Sequence, residues 1–188
     1  TFHDEEYPHF EIFRRGHDRA AYNTLSGDLP VGEHRFPAKA GDFIYKITTH
    51  SGKSTSTHTY RFSYLIVQLP WGAGGGVPDL LIRPEGVMDK IAGAFGFDDI
   101  DFESAEFSRR FHVKSADKKF AYDVCHPRMM EFLMQTKPPA IDIERGRACM
   151  SDGRTRWEPA EFRAMLGWTQ AFFENWPEHV VKELTIHG

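Results

Sequence analysis

The sequence predicts an α+β domain: a mainly antiparallel, curved sheet with helices packed on one face and a long C-terminal helix. Three observations predict it. Strand-like stretches succeed one another through the first half, without the strand–helix alternation of a parallel fold. A helix, a strand, a helix pair, a hairpin and a long helix then follow. At 188 residues, 40% hydrophobic and 27% charged, the chain fits one domain spanning residues 1–188. A chain of this length buries roughly 70% of its unfolded surface and needs no metal or disulfide to fold.

Thr1 to His9 is acidic and polar, and Phe10, Ile12 and Phe13 follow as a short packed piece. A first strand is expected over Arg19–Ser26, ended by Gly27-Asp28-Leu29-Pro30. A second covers Val31–Phe36 and is interrupted by Pro37–Gly41. Asp42–His50 reads as a strand, and Ser51–Thr57 as a polar turn. Thr59–Leu69 is the strongest strand, aromatic and β-branched up to Pro70. Tyr60, Phe62, Tyr64 and Ile66 share one face and Leu65, Val67 and Leu69 the other, so its second half is expected to be buried on both sides. Trp71–Val77 is a glycine-rich loop, Pro78–Arg83 a strand, and Val87–Phe95 a short helix with Gly96 at its end.

Asp98–Gln135 carries the densest information. Phe107, Phe111 and Val113 share one parity while Ser108, Arg110, His112 and Lys114 share the other, which reads as a half-buried strand that Arg109 disturbs. A short helix to about Cys125 and a second from Pro127 follow, because proline suits a first helical turn. Met129, Met130, Leu133 and Met134 form the second helix's apolar stripe. Ile141 and Ile143 open a hairpin that turns at Arg145-Gly146 and returns to Ser151. Pro159 starts the longest helix, whose apolar residues from Phe162 to Trp176 follow a 3.6 period. Pro177 ends it, and Glu178–Leu184 forms a shorter one.

Composition excludes several chemistries. A net charge of −4 argues against a general nucleic-acid binder. Cys125 and Cys149 form no disulfide framework or CxxC site and read as two reduced, buried thiols, with a single bridge between them as the alternative. No apolar run is long enough to span a bilayer and no signal peptide is visible. Gly52-Lys53-Ser54-Thr55 lacks the upstream glycine of a phosphate loop and joins two strands. His50 and His58 flank one turn and read as two exposed turn histidines; set across the ladder from each other they are the weak metal candidates, short of a third ligand. Asp98, Asp99, Asp101 and Glu103 form an acidic cluster without the EF-hand pattern, read as solvated or as a brace for Arg109 and Arg110. Asp98, Asp99, Asp101, Arg109 and Arg110 are the candidate ligand or partner surface. Arg109, Arg110, Lys114, Lys118, Lys119 and Arg128 read as part of a mixed-charge surface rather than a basic patch.

The stretches Pro78–Gly86 (PDLLIRPEG) and Lys90–Val113 (KIAGAFGFDDIDFESAEFSRRFHV), with the helix start at Phe120-Ala121, resemble a family of uncharacterised bacterial proteins. Phe13–Gly16, Asn23–Gly27 and the aromatic strand at Phe43–Tyr45 are similar too, so the resemblance covers most of the chain. In that family the soluble domain commonly follows N-terminal membrane helices. The resemblance implies a bacterial domain, cytoplasmic or membrane-anchored, with any tether lying upstream of Thr1; it assigns no catalytic residue and no cofactor. The expectation is a non-catalytic binding or scaffolding domain with a protein or small-molecule partner. The alternative is a hydrolase-like enzyme that uses the 98–103 cluster with His112 or His126.

Overall fold

The computed structural model describes Tyr7 and residues 9–71, 76–87 and 97–187. The helix expected over Val87–Phe95 falls, beyond Val87, outside the described residues, as do residues 72–75 of the glycine-rich loop and 1–6 of the acidic lead. A seven-stranded antiparallel sheet runs in the order β1-β2-β3-β7-β6-β4-β5, and the chain is α+β. Its long strands are β1 (His17–Val31), β2 (His34–Ser51) and β3 (Ser54–Gln68). The short ones are β4 (Leu80–Pro84), β5 (Phe111–Ser115), β6 (Ile141–Glu144) and β7 (Arg147–Met150). The helices are α1 (Ala105–Arg110), α2 (Lys118–Val124), α3 (Pro127–Gln135), α4 (Pro159–Glu174) and α5 (Glu178–His187).

β3 explains the two-layered core. Leu65, Val67 and Leu69 join Leu80, Ile82, Val113, Ile141 and Ile143 under the helices, whose Phe120, Leu133, Phe172 and Leu184 close this first face. Tyr64, Phe62 and Ile66 point the other way, to a second core with Phe43, Tyr45, Cys149 and the N-terminal Tyr7, Phe10, Ile12 and Phe13. Residues 62–67 are therefore buried on both sides; Ser63 is the one small polar residue among them, and its hydroxyl donates to Asp42. A 3₁₀ turn, Glu11–Arg14, lays Phe13 edge-on against Phe43 at 5.0 Å and Tyr64 at 5.1 Å. Gly16 then swings the chain into β1 at φ +59°, where any side chain would collide with the Lys46 carbonyl.

Three expectations are corrected. The first strand does not stop at Gly27–Pro30; β1 continues to Val31 and reverses at Gly32-Glu33, with Gly32 at φ +57°. Pro37 does not interrupt the second strand either. β1 is an edge strand, and β2 meets β3 only from Ala38↔Val67 onward, so Pro30 and Pro37 sit where no ladder hydrogen bond is lost. The strand expected from Phe107 begins at Phe111, because residues 105–110 are helical. Ser104 caps that helix by accepting from Phe107 N at 3.2 Å, and Arg109 and Arg110 sit at its negative end. Phe107 and Phe111 are four apart, a spacing that serves a helix face as well as a strand face; their rings stack at 4.9 Å.

The hairpin β6–β7, the break at Pro127 and the start of α4 at Pro159 lie where the sequence places them. Both sheet edges are blunted. β1 carries register shifts near Asp18 and Asn23, both at φ 50°, and β5 is covered by Ile100, whose N–H donates to Val113 O at 2.8 Å.

Candidate functional site

Period two along β5 sends Phe111 and Val113 to the helices, and His112 and Lys114 to the opposite face. Ile100 is buried and bonded to β5, which brings Asp99 beside the same strand. The result is a carboxylate–imidazole–carboxylate group. His112 Nδ1 lies 3.2 Å from Asp99 Oδ2, and its Nε2 lies 2.7 Å from Glu85 Oε2. Lys114 Nζ is 3.6 Å from Asp99 Oδ1. The acidic cluster thus braces His112 and Lys114, not Arg109 and Arg110. Arg110 instead donates to Met134 O at 2.9 Å and pairs with Glu106 at 3.5 Å, while Arg109 is exposed. Both nitrogens of His112 are occupied by carboxylates, so neither is free to take a proton from a substrate.

Ile100 also divides the cluster. Asp101 and Glu103 fall on its far side, where they line a cleft of about 340 Å³ with Phe102, Tyr122, His126 and Met130. His126 Nε2 donates to Asn175 O at 2.9 Å, and Tyr122 Oη to the backbone O of Asp101 at 3.0 Å. Asp98, Asp99, Asp101, Arg109 and Arg110 are all exposed and do not form one surface: Asp99 faces His112, Asp101 the His126 cleft, and Arg110 the end of α3.

The metal candidates come apart. His50 is registered against Thr55, and His58 against Ile47. His50 Nδ1 lies 3.0 Å from Thr55 Oγ1, and His58 Nε2 lies 3.0 Å from Ser56 Oγ. Among the described residues no three His, Cys, Asp or Glu side chains are grouped to hold a metal ion. Lys119 is paired with Asp123 and Glu183, so the positive charges around the helix pair are interleaved with acids.

The most unusual polar feature escaped the sequence reading. Arg83 on β4 and Asp142 on β6 form a buried ion pair, with one guanidinium nitrogen 2.9 and 3.1 Å from the two carboxylate oxygens. Their side chains are 3% and 8% exposed. Burial pushes the Asp142 carboxyl upward, against the pull of Arg83. Beside it the Cys149 thiol is pushed well up by the same burial, and Cys125, under the helices, is raised to about 12. Both cysteines are free, buried and far from the thiolate form a nucleophile needs. Arg83 and Asp142 are fifty-nine residues apart in sequence; Asp142 alternates with Ile141 and Ile143, where a polar residue normally reads as solvent-facing, and Arg83 ends an apolar run.

Among the described residues no helix is long and apolar enough to cross a membrane. Set against family models, curated proteins and solved structures, the chain matches none of them.

Proposed function

We propose that this chain is a non-catalytic binding or scaffolding domain, held at a bacterial membrane by a tether outside these residues. The observation that carries the binding reading is the ribbon formed by β2 and β3. β1 stops pairing at His17↔Lys46, whereas β2 and β3 stay paired out to Ser51↔Ser54. Residues 47–59 therefore project as two strands, exposed except for the half-buried Thr48. Polar pairs brace one face: His17–Thr48 and Thr48–Thr57 at 2.9 Å, and His50–Thr55 at 3.0 Å. The other face presents Ile47, Tyr60 and His58, with Tyr60 43% exposed and stacked on Tyr45 at 5.2 Å. A rigid, half-exposed tyrosine beside an aliphatic side chain is the composition of a protein contact. The tether rests on the resemblance to membrane-anchored bacterial proteins.

The test is Ile47→Ser combined with Tyr60→Ser, which strips the apolar contact from this face and leaves the polar pairs of the other face in place. The expected result is a melting temperature close to that of the parent, with loss of the complex that the parent forms in its native cell extract. A parent that runs only as a free chain in that extract sinks the proposal.

One observation favours the enzymatic alternative: Asp101, Glu103 and His126 share a cleft. Turnover of model esters or phosphoesters that is abolished by Glu103→Gln and His126→Ala would establish it; no turnover by the parent chain removes it.

A further inference from the structure

β3 is an inner strand of the sheet, yet only part of its outer edge is filled. Leu69 N–H donates to Gly146 O at 2.9 Å and Ser63 N–H to Thr155 O at 2.8 Å, with Val67 and Leu65 paired to β7 between them. These odd-numbered residues therefore turn their backbone groups away from β2. The ladder between β2 and β3 runs without a register shift from Ala38↔Val67 to Ser51↔Ser54. Period two then turns the backbone groups of Arg61, Thr59, Thr57 and Thr55 to the same outer side. Among the described residues none of the four has a backbone partner there. Residues 54–61 are all exposed. Register shifts blunt β1 and Ile100 covers β5, whereas residues 54–61 carry no proline, no glycine and no bulge.

The two faces of this open stretch differ. Thr55, Thr57, Thr59 and Arg61 lie on the face that carries Thr48 and His50, and His58 and Tyr60 on the face that carries Ile47. The sequence holds no Asp or Glu between Asp42 and Asp79. Over residues 47–61 the permanent charges are those of Lys53 and Arg61, both exposed and neither in an ion pair among the described residues. We infer that this open edge takes an extended segment of a partner protein as an added strand, one whose side chains alternate between acidic, toward Arg61, and apolar, toward Tyr60. The added strand rests on the ribbon reading proposed above and gives that contact its partner. Main-chain hydrogen bonds supply affinity in such an addition, and alternate side chains supply specificity. The charge of the ribbon is opposite to that of the segment. The four open positions span about 20 Å, the length of an ordinary strand.

The purified full chain is titrated with the acetylated, amidated peptide TEVEVEVT while amide exchange is followed by NMR. At saturation, exchange at Thr55, Thr57 and Thr59 is expected to slow by roughly tenfold or more. Thr48 and His50, whose amides face the opposite edge of the ribbon, should be unchanged. The basic counterpart TKVKVKVT should bind roughly tenfold more weakly. Arg61→Gln should weaken binding of the acidic peptide about threefold, as the loss of one exposed ion pair does. Thr59→Pro removes an outward amide and leaves the ladder to β2 intact, so the melting temperature should stay near that of the parent while the protection is lost. A peptide methylated at its four central amides donates from neither edge and should not bind. Unchanged exchange at all three threonines at about 1 mM peptide overturns the added strand, as does equal binding of the methylated peptide. A Thr59→Pro chain that keeps the extract complex lost on Ile47→Ser with Tyr60→Ser also overturns it, and leaves the ribbon contact standing. Protection of these amides by duplex DNA and not by the peptide overturns it in favour of a nucleic acid.

Discussion

The two faces of the sheet are built on different rules. The first, under the helices, is apolar from Leu29 through Leu184 apart from the buried Asp42 and Ser63, which share the parity of Ala40 and Leu65. The second changes character across its width. Under β2 and β3 it is aromatic, with Phe13 wedged among Phe43, Phe62 and Tyr64. Under β4 to β7 it carries Arg83, Lys114 and Asp142, all largely buried, beside the half-buried His112 and Glu144. An apolar face needs only hydrophobic area to be stable. A buried charged face is stable only while every partner is in place, so it holds less spare stability and more specific chemistry.

Removing one member of the buried pair is the sharpest way to break this comparison. Arg83→Met leaves Asp142 buried without its cation and is expected to cost about 3–5 kcal/mol, measured by chemical denaturation. Pairing it with Asp142→Leu removes both charges and should recover most of that loss. If the double variant stays as unstable as the single one, the pair serves packing or geometry rather than charge compensation. The first face offers only a weaker counterpart, because its buried Asp42 keeps Ser63 and Asn23 as donors when its cation Arg156 is removed.

The second expected effect is smaller and depends on pH. Glu144 is raised in the folded state, to about 7. The folded chain therefore holds that proton more tightly than the unfolded one, and the associated stability, present below the ordinary carboxylate range, is lost as pH rises through 7. His9 is lowered to about 4, so its contribution is present above its ordinary range and is lost as pH falls toward 4. Between these limits the two trends oppose each other. Glu144→Gln removes one of them, and its melting temperature should fall more steeply with acidification than that of the parent. His9→Phe should do the reverse. Matching pH profiles for all three chains would mean that the N-terminal end of the second face is open to solvent.

The same contrast decides what the sequence could reveal. The apolar half of β3, α4, the break at Pro127 and the β6–β7 hairpin are legible because their signals are local: a period of two, a period of 3.6, or a proline; the polar residues 54–57 read as a turn and are strand. Gly27, Pro30 and Pro37 misled because a proline in an edge strand, or in an inner strand beyond its neighbour's reach, punctuates nothing. Phe107 and Phe111 misled because a spacing of four fits both periods. In the candidate site the acidic cluster and His112 were visible as chemistry, but Ile100 sends Asp99 to one side and Asp101 to the other. The pairing of Arg83 with Asp142 is set by strand order alone, β6 beside β4, and no local pattern carries strand order.

The smallest expected effect lies in the ribbon, which belongs to neither face. Thr48 Oγ1 meets both His17 Nε2 and Thr57 Oγ1 at 2.9 Å, so it joins β1 to the two projecting strands. Thr48→Val keeps the β-branched shape and removes that hydroxyl. Because water can replace the lost bonds at this position, the cost should be about 0.5 kcal/mol. Hydrogen exchange is the more telling measurement. Amides of residues 49–56 should lose protection while those of residues 62–67 keep theirs, because the first set has no core beneath it and the second has one on each side. Equal loss in both sets would show the ribbon and the body opening as one unit, and a ribbon that rigid would be an extension of the sheet rather than a separate reach.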